Sequence, residues 1–258
     1  MRTEKKTKIN QLINNWPRGT VMTQIYLTGK GYNSNLMRRY RLGQWVRSIG
    51  SGAYAIFDDK IDWQGGLYAL QQQLNLDVHV GGRSAVELLG GAHYMHFDQG
   101  AVHLYAQPKT VLPKWFLQSE WNRQILLQKT NSLPFAMSDS FTTMKHRDFT
   151  IRISSLERAI LELLVLVPEK QGFDEAVKIM DNMMNLRPRL LQKMLEKCNS
   201  IKVKRLFLYM AEKNNMSWIE HIHLNRISLG TGKRRIVKNG VLDKKYLITV
   251  PRGESDNG

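Results

Sequence analysis

The 258-residue sequence predicts an α+β protein, and three observations carry that class. Two short helices and a glycine-turned hairpin fit residues 20–57. Short β-like stretches, at 77–80, 93–106 and 149–153, recur between helices and loops up to residue 153. Apolar spacings of three and four then dominate residues 154–221 before a final ribbon. The expected division is a domain over residues 1–60 and a larger mixed α/β domain over 61–258. The latter is sheet-rich over 61–153, helical over 154–221 and a β-ribbon over 222–250.

Residues 4–15 place Ile9, Leu12 and Ile13 at helical spacing, with Trp16-Pro17-Arg18-Gly19 as the stop. Thr23 is suited to cap a helix over residues 24–27, which breaks at Gly29 and Gly31. Ser34 is suited to cap a second helix over 35–42, because its hydroxyl accepts an unpaired N–H of the first turn. Leu36 and Tyr40 give that helix an apolar stripe, and Arg38, Arg39 and Arg41 project from its other faces. Residues 45–49 and 53–57 read as paired strands around Gly50-Ser51-Gly52. Helix, turn, basic helix and two-stranded ribbon together make a winged helix-turn-helix, a shape that places one helix in a DNA major groove.

The same shape also serves as a protein–protein module, and an arginine-rich helix is often a solvated face. Charge distribution favours the nucleic-acid reading. Residues 1–60 carry 11 Lys and Arg against 3 Asp and Glu, a net of +8. Residues 61–150 carry 7 of each, and residues 151–258 carry 20 against 12. Basic charge gathered on a helix-turn-helix fits a polyanion partner. The expected DNA contacts are Thr23, Asn33, Ser34, Asn35, Arg38, Arg39 and Arg41 from the helices, and Arg47 and Ser51 from the wing. Arg bonds a guanine edge bidentately and Asn an adenine edge, while the wing meets phosphates or the minor groove.

Beyond the wing, residues 63–74 read as a helix and 77–80 as a strand. Ser84 with Glu87 matches a capping box ahead of 85–89, and residues 93–106 are β-like. Residues 149–153 form a strand, and Ser154 with Glu157 matches a second box opening a helix to 167. Helices follow over 173–186, 190–195 and 201–213, with a third box at Ser217 and Glu220. The ribbon is expected over 226–229, 234–237 and 246–250. Met180, Met183, Met184 and Met194 read as core packing or, alternatively, as an adaptable partner groove. Lys202, Lys204 and Arg205 on a helix, with Lys233, Arg234 and Arg235 on the ribbon, make a second basic surface.

No catalytic constellation emerges, and neither cofactor nor metal is expected. Gly230-Thr231-Gly232-Lys233 lacks the spacing of a phosphate loop. Gly81-Gly82-Arg83-Ser84 fits a tight turn as well as an anion cradle. His93, His96 and His103, and separately His221 and His223, lack the companions of a zinc site. Asp139, Asp148 and Glu157 make a weak set of nuclease carboxylates. Lone Cys198, an N-terminus without an apolar signal region, and the absence of any apolar run of ~18 residues point to the cytoplasm and no membrane.

Four phrases carry a family resemblance: GGLYALQQQLNLDVHVGGRSAVELLGGAHYM, SSLERAILELL, LRPRLLQKMLEKCNSIKVKRLFLYMAE and LGTGKRRIVKNGVLDKKYLITVP. Together they resemble the AbiEi-type antitoxins, partners of nucleotidyltransferase-like toxins in bacterial abortive-infection, type IV toxin–antitoxin systems. The resemblance implies two tasks. The winged helix represses its operon at promoter inverted repeats of double-stranded DNA, and the larger domain counters the cognate toxin, with or without a stable complex. It names no residue for antitoxicity. Two other readings stay open: a winged-helix regulator with a ligand-sensing or oligomerising second domain, and a nucleic-acid enzyme with a winged-helix targeting module.

Overall fold

The computed structural model describes residues 7–90 and 100–252. The protein is α+β, and its chain divides into two compact units that alternate along the sequence. The first takes Met1–His79, Lys109–Leu126 and Thr143–Arg152; the second takes Val80–Pro108, Leu127–Thr142 and Ile153–Gly258. No described helix is long and apolar enough to cross a membrane.

In the first unit, α1 (Lys8–Asn14) begins where the Thr7 hydroxyl accepts the Asn10 N–H. β1 (Met22–Thr23), α2 (Gln24–Gly29), α3 (Ser34–Leu42), β2 (Val46–Gly50) and β3 (Ala53–Ile56) follow, and the strands pair antiparallel in the order β1-β3-β2. Leu12 and Trp16, Leu27 of α2, Met37 of α3, and Val46 and Ile56 of the hairpin close one core. The turn between α2 and α3 needs Gly31, whose φ of 85° lets the Tyr32 N–H return to the Leu27 carbonyl at 2.9 Å. The helix-turn-helix and its wing are therefore present.

α4 (Trp63–Tyr68), capped by Asp62, widens into a π-helical turn over Ala69–Gln73. Its Gly65 is set by packing, because a Cβ there would collide with the Gly19 carbonyl oxygen. The wide turn sends Gln73 to β1, where its amide donates to Val21 O and accepts from Thr23 N, both at 2.8 Å. A side chain thus occupies hydrogen-bonding groups that a sheet edge would otherwise expose. Gln71 does the same for the Arg152 backbone, donating at 2.9 Å and accepting at 2.8 Å.

The remaining elements are β4 (Val78–Val80), α5 (Gly82–Leu88), β5 (Val102–Ala106), α6 (Lys114–Gln118), β6 (Ile125–Lys129), β7 (Phe141–His146) and β8 (Phe149–Ser154). They are followed by α7 (Leu156–Val165), α8 (Phe173–Asp181), α9 (Pro188–Lys197), α10 (Ile201–Lys213), β9 (Arg234–Arg235), β10 (Val241–Asp243) and β11 (Ile248–Val250). One sheet runs β6-β5-β4-β8-β7, with Val80 of β4 opposite Ile153 of β8 in parallel.

The second unit's core gathers α5, α7, α8, α9 and α10. Met180, Met183 and Met194 lie in that core, whereas Met184 is exposed. α7 buries charge as well. Arg158 donates to Glu162 at 2.7 Å, to Pro134 O and to Ser140 Oγ, with its guanidinium between the rings of Phe135 and Phe141. The other Glu162 oxygen accepts from Ser154 Oγ at 2.7 Å and from the Gly82 N–H at 3.3 Å.

Several local expectations are corrected. α7 is capped by Ser155, not Ser154, because Ser154 is committed to Glu162, and Glu157 binds Arg187 instead of closing a box. α5 has no side-chain cap, since Ser84 Oγ accepts the His103 N–H and Glu87 pairs with Arg83. Ser217 opens only a 3-10 turn, uncapped by any side chain. Residues 226–229 do not form a strand; a 3-10 turn covers Leu224–Arg226. The ribbon is a small sheet in the order β10-β11-β9, and its β9–β11 pair is parallel.

Candidate nucleic-acid interface

α3 presents a largely polar, cationic face because Leu36, Met37 and Tyr40 gather on its other side. Met37 is fully buried, and Leu36 and Tyr40 are half-buried beside it. At 3.6 residues per turn, Asn35, Arg38 and Leu42 fall on one line opposite that buried side. Ser34 and Arg41 flank the line on one side and Arg39 on the other; all six are exposed. Leu42, 73% exposed, was missed by the sequence reading. The available signal was its position seven residues after Asn35, on the polar rather than the apolar stripe. Burial raises the Tyr40 phenol pKa, Tyr32 adds to this and Arg39 opposes it, so the phenol stays neutral.

Two helix-turn-helix assignments change. The cap of α3 is Asn33, whose Oδ1 accepts the Leu36 N–H at 2.9 Å; Ser34 is the first helical residue. Asn33 remains exposed, but one of its polar atoms serves the helix. Thr23 is buried, its hydroxyl accepting the Tyr26 N–H and its own N–H donating to Gln73, so it positions α2 and faces no ligand. In the wing, Ser51 is exposed at the turn. Arg47 is half-buried and donates to the Asp59 carbonyl at 2.9 Å, which draws its charge back along the strand.

The second basic surface does not assemble. Arg205 is 2% exposed and donates to the carbonyls of Leu229, Gly230, Gly232 and Leu247 at 2.6–3.2 Å. Lys204 is 3% exposed, and Lys202 donates to Val165 O and Val167 O at the end of α7. Lys233, Arg234 and Arg235 alone stand in solvent. The 229–232 loop presents carbonyls to a guanidinium, the opposite polarity to a phosphate cradle. The Gly81-Gly82 turn is likewise filled, since the Gly82 N–H meets the Glu162 carboxylate and a Cβ on Gly81 would strike it.

His93 and His96 lie outside the described residues. Burial, then Arg83 and Lys170, lower the His103 pKa, leaving a neutral imidazole. Among the described residues no group of three His, Cys, Asp or Glu is placed to hold a metal. Asp139 pairs with Lys193 at 3.5 Å, and Glu157 accepts from Arg187 Nε and Nη2 at 2.8 and 2.9 Å. Burial alone would raise the Glu157 pKa, but the Arg187 bonds overcome it and bring it to about 2. A cleft of about 900 Å³ runs along α9, bordered by Arg189, Gln192, Glu196, His221 and His223.

Comparison with known proteins identifies a family over nearly the whole chain. Residues 5–97 match the family model described as the N-terminal domain of the AbiEi antitoxin transcriptional regulator, and residues 99–251 match that of the AbiEi antitoxin regulator of type IV toxin–antitoxin systems. No curated protein matches. Among solved structures, the RV2827C protein from Mycobacterium tuberculosis is similar, with a TM-score of 0.59 and 14% identity over 93% of this chain and 88% of that one. At that identity the likeness is one of fold.

Proposed function

The chain belongs to the AbiEi antitoxin family of type IV toxin–antitoxin transcriptional regulators, and on that premise we propose that it is an autorepressor and antitoxin. The winged helix-turn-helix of residues 1–60 binds inverted repeats of double-stranded DNA in its own promoter. Residues 61–258 counter a nucleotidyltransferase-like toxin. The reading assigns the chain no catalysis and no cofactor. The observation that carries it is the line of Asn35, Arg38 and Leu42 along the exposed side of α3. Asn and Arg have the donors and acceptors to read adenine and guanine edges, and Leu42 offers an apolar contact to a thymine methyl.

The test is fluorescence anisotropy of the full chain on a labelled duplex of the DNA upstream of its coding sequence, against an unrelated duplex. Arg38→Ala should lose about 1–3 kcal/mol of the preference for the upstream duplex, with an unchanged circular dichroism spectrum. A folded variant with the parent's preference would remove α3 from the reading role. The cleft along α9 supports a second reading, a regulator whose second unit senses a small ligand. That reading requires a ligand that alters the same DNA affinity.

A further inference from the structure

The chain returns to the first unit long after the hairpin has closed, and the return lands on the wing. α6 packs along β2, the outer strand of the β1-β3-β2 sheet. The approach is close, because a Cβ on Gly50 would lie 2.8 Å from the Trp115 Cβ and 3.1 Å from its Cα. A residue without a side chain is what lets α6 reach the turn end of the wing. The buried Phe116 ring sits 5.3 Å from Trp121, whose indole N–H donates to the Phe116 carbonyl at 2.8 Å, so α6 is held in one place.

The wing itself is short of charge. Between residues 46 and 56 the only Lys or Arg is Arg47, and its guanidinium is drawn back to Asp59. Lys114 directly precedes Trp115 and is exposed, as is Lys109 at the start of the same segment. Among the described residues neither has an ion-pair partner. Covering the edge of β2 requires the apolar contact of Trp115 and neither lysine. Lys114 is carried beside an uncharged wing turn by the Trp115–Gly50 contact, and Lys109 lies five residues before it on the same segment. Such solvated cations are suited to a polyanion lying beside the wing.

We propose that the DNA interface extends past residue 60 to the 109–118 segment, with Lys109 and Lys114 binding backbone phosphates of the duplex beside the wing turn. This rests on the DNA-binding reading of the first unit. Such contacts carry no sequence information and are seen as salt dependence.

The experiment measures affinity of the full chain for the upstream duplex and for an unrelated duplex across a salt series. The parent is compared with Lys109→Gln, Lys114→Gln and the double variant. Each single change should make the slope of log K against log salt shallower by about 0.9, and the double by about 1.8, with the preference between duplexes unchanged. A double variant with the parent's slope overturns this proposal alone, and so does a loss confined to the upstream duplex. A parent that binds neither duplex overturns the DNA-binding reading with it.

Discussion

Arg205 separates a structural cation from a partner-facing one, and Arg205→Met is the perturbation that shows which it is. Its guanidinium holds the carbonyls of Leu229 (2.8 Å), Gly230 (2.9 Å), Gly232 (2.6 Å) and Leu247 (3.2 Å), tying the 229–232 loop and the approach to β11 onto α10. At a net contribution of about 1 kcal/mol per bond, the four sum to about 4 kcal/mol. Methionine keeps most of the apolar stem, so packing loss adds little. For a chain of this size each kcal/mol moves the melting temperature by roughly 2–4 °C, which puts the expected fall near 10 °C. Thermal unfolding followed by far-ultraviolet circular dichroism reads it. Arg235→Met, exposed on β9, is the control and should stay within about 0.5 kcal/mol of the parent. If Arg205→Met melts with the parent, or Arg235→Met falls as far, the assignment of Arg205 to loop anchoring is wrong.

Two further outcomes follow from the caps and the buried carboxylate. Asn33→Ala should cost about 1 kcal/mol in denaturant unfolding of the first unit, while Ser34→Ala should cost at most a few tenths, and the reverse order would restore Ser34 as the cap of α3. Glu157 has its folded pKa lowered from 4.5 to about 2, so its contribution is fully present above about pH 4.5 and is lost as pH falls toward 2. The shift corresponds to about 3 kcal/mol, and solvent screening at Arg187, 59% exposed against 4% for Glu157, trims it to about 1–2 kcal/mol. Between pH 5 and 2 (a range set by these pKa values) the parent should therefore lose about that much more stability than Glu157→Gln, and parallel acid-unfolding curves would rule the pair out as the cause.

What sequence could show was whatever its own neighbours decide. α10 falls on residues 201–213 as its apolar spacing requires, with Val203, Leu206, Phe207 and Met210 all buried. The wing is legible for the same reason, since Gly50, Ser51 and Gly52 turn two short strands without help from afar. The caps were misread where a distant group competes. Either serine of Ser154-Ser155 suits the start of α7, and the choice is made by Glu162, which takes the Ser154 hydroxyl. Asn33 and Ser34 are an equally even pair in sequence, separated only by the backbone at the start of α3. The alternation of the two compact units was not legible at all, because it depends on where residues 109–126 and 143–152 return.

Charge was the most misleading signal, for one physical reason. A net charge of +16 counts every cation as though it stood in water. A long cationic side chain can instead lay its stem in the core and spend its donors on backbone carbonyls that lack partners. Lys202 does this at the end of α7, where the Val165 and Val167 carbonyls are left over by the helix, and Arg205 does it for a loop with no ladder of its own. Their acceptors lie 24 to 42 residues away in sequence, so no local pattern marks them. The arginines of α3 differ because that helix satisfies its own ends through Asn33 and Gly43, and its apolar side is filled by Met37. Among the described residues no backbone acceptor claims Arg38, Arg39 and Arg41, so their donors are open for the DNA contact proposed above. An exposed cation is thus informative about partners only after the orphan carbonyls of its unit have been accounted for, and by that standard α3 qualifies while Lys202 and Arg205 do not.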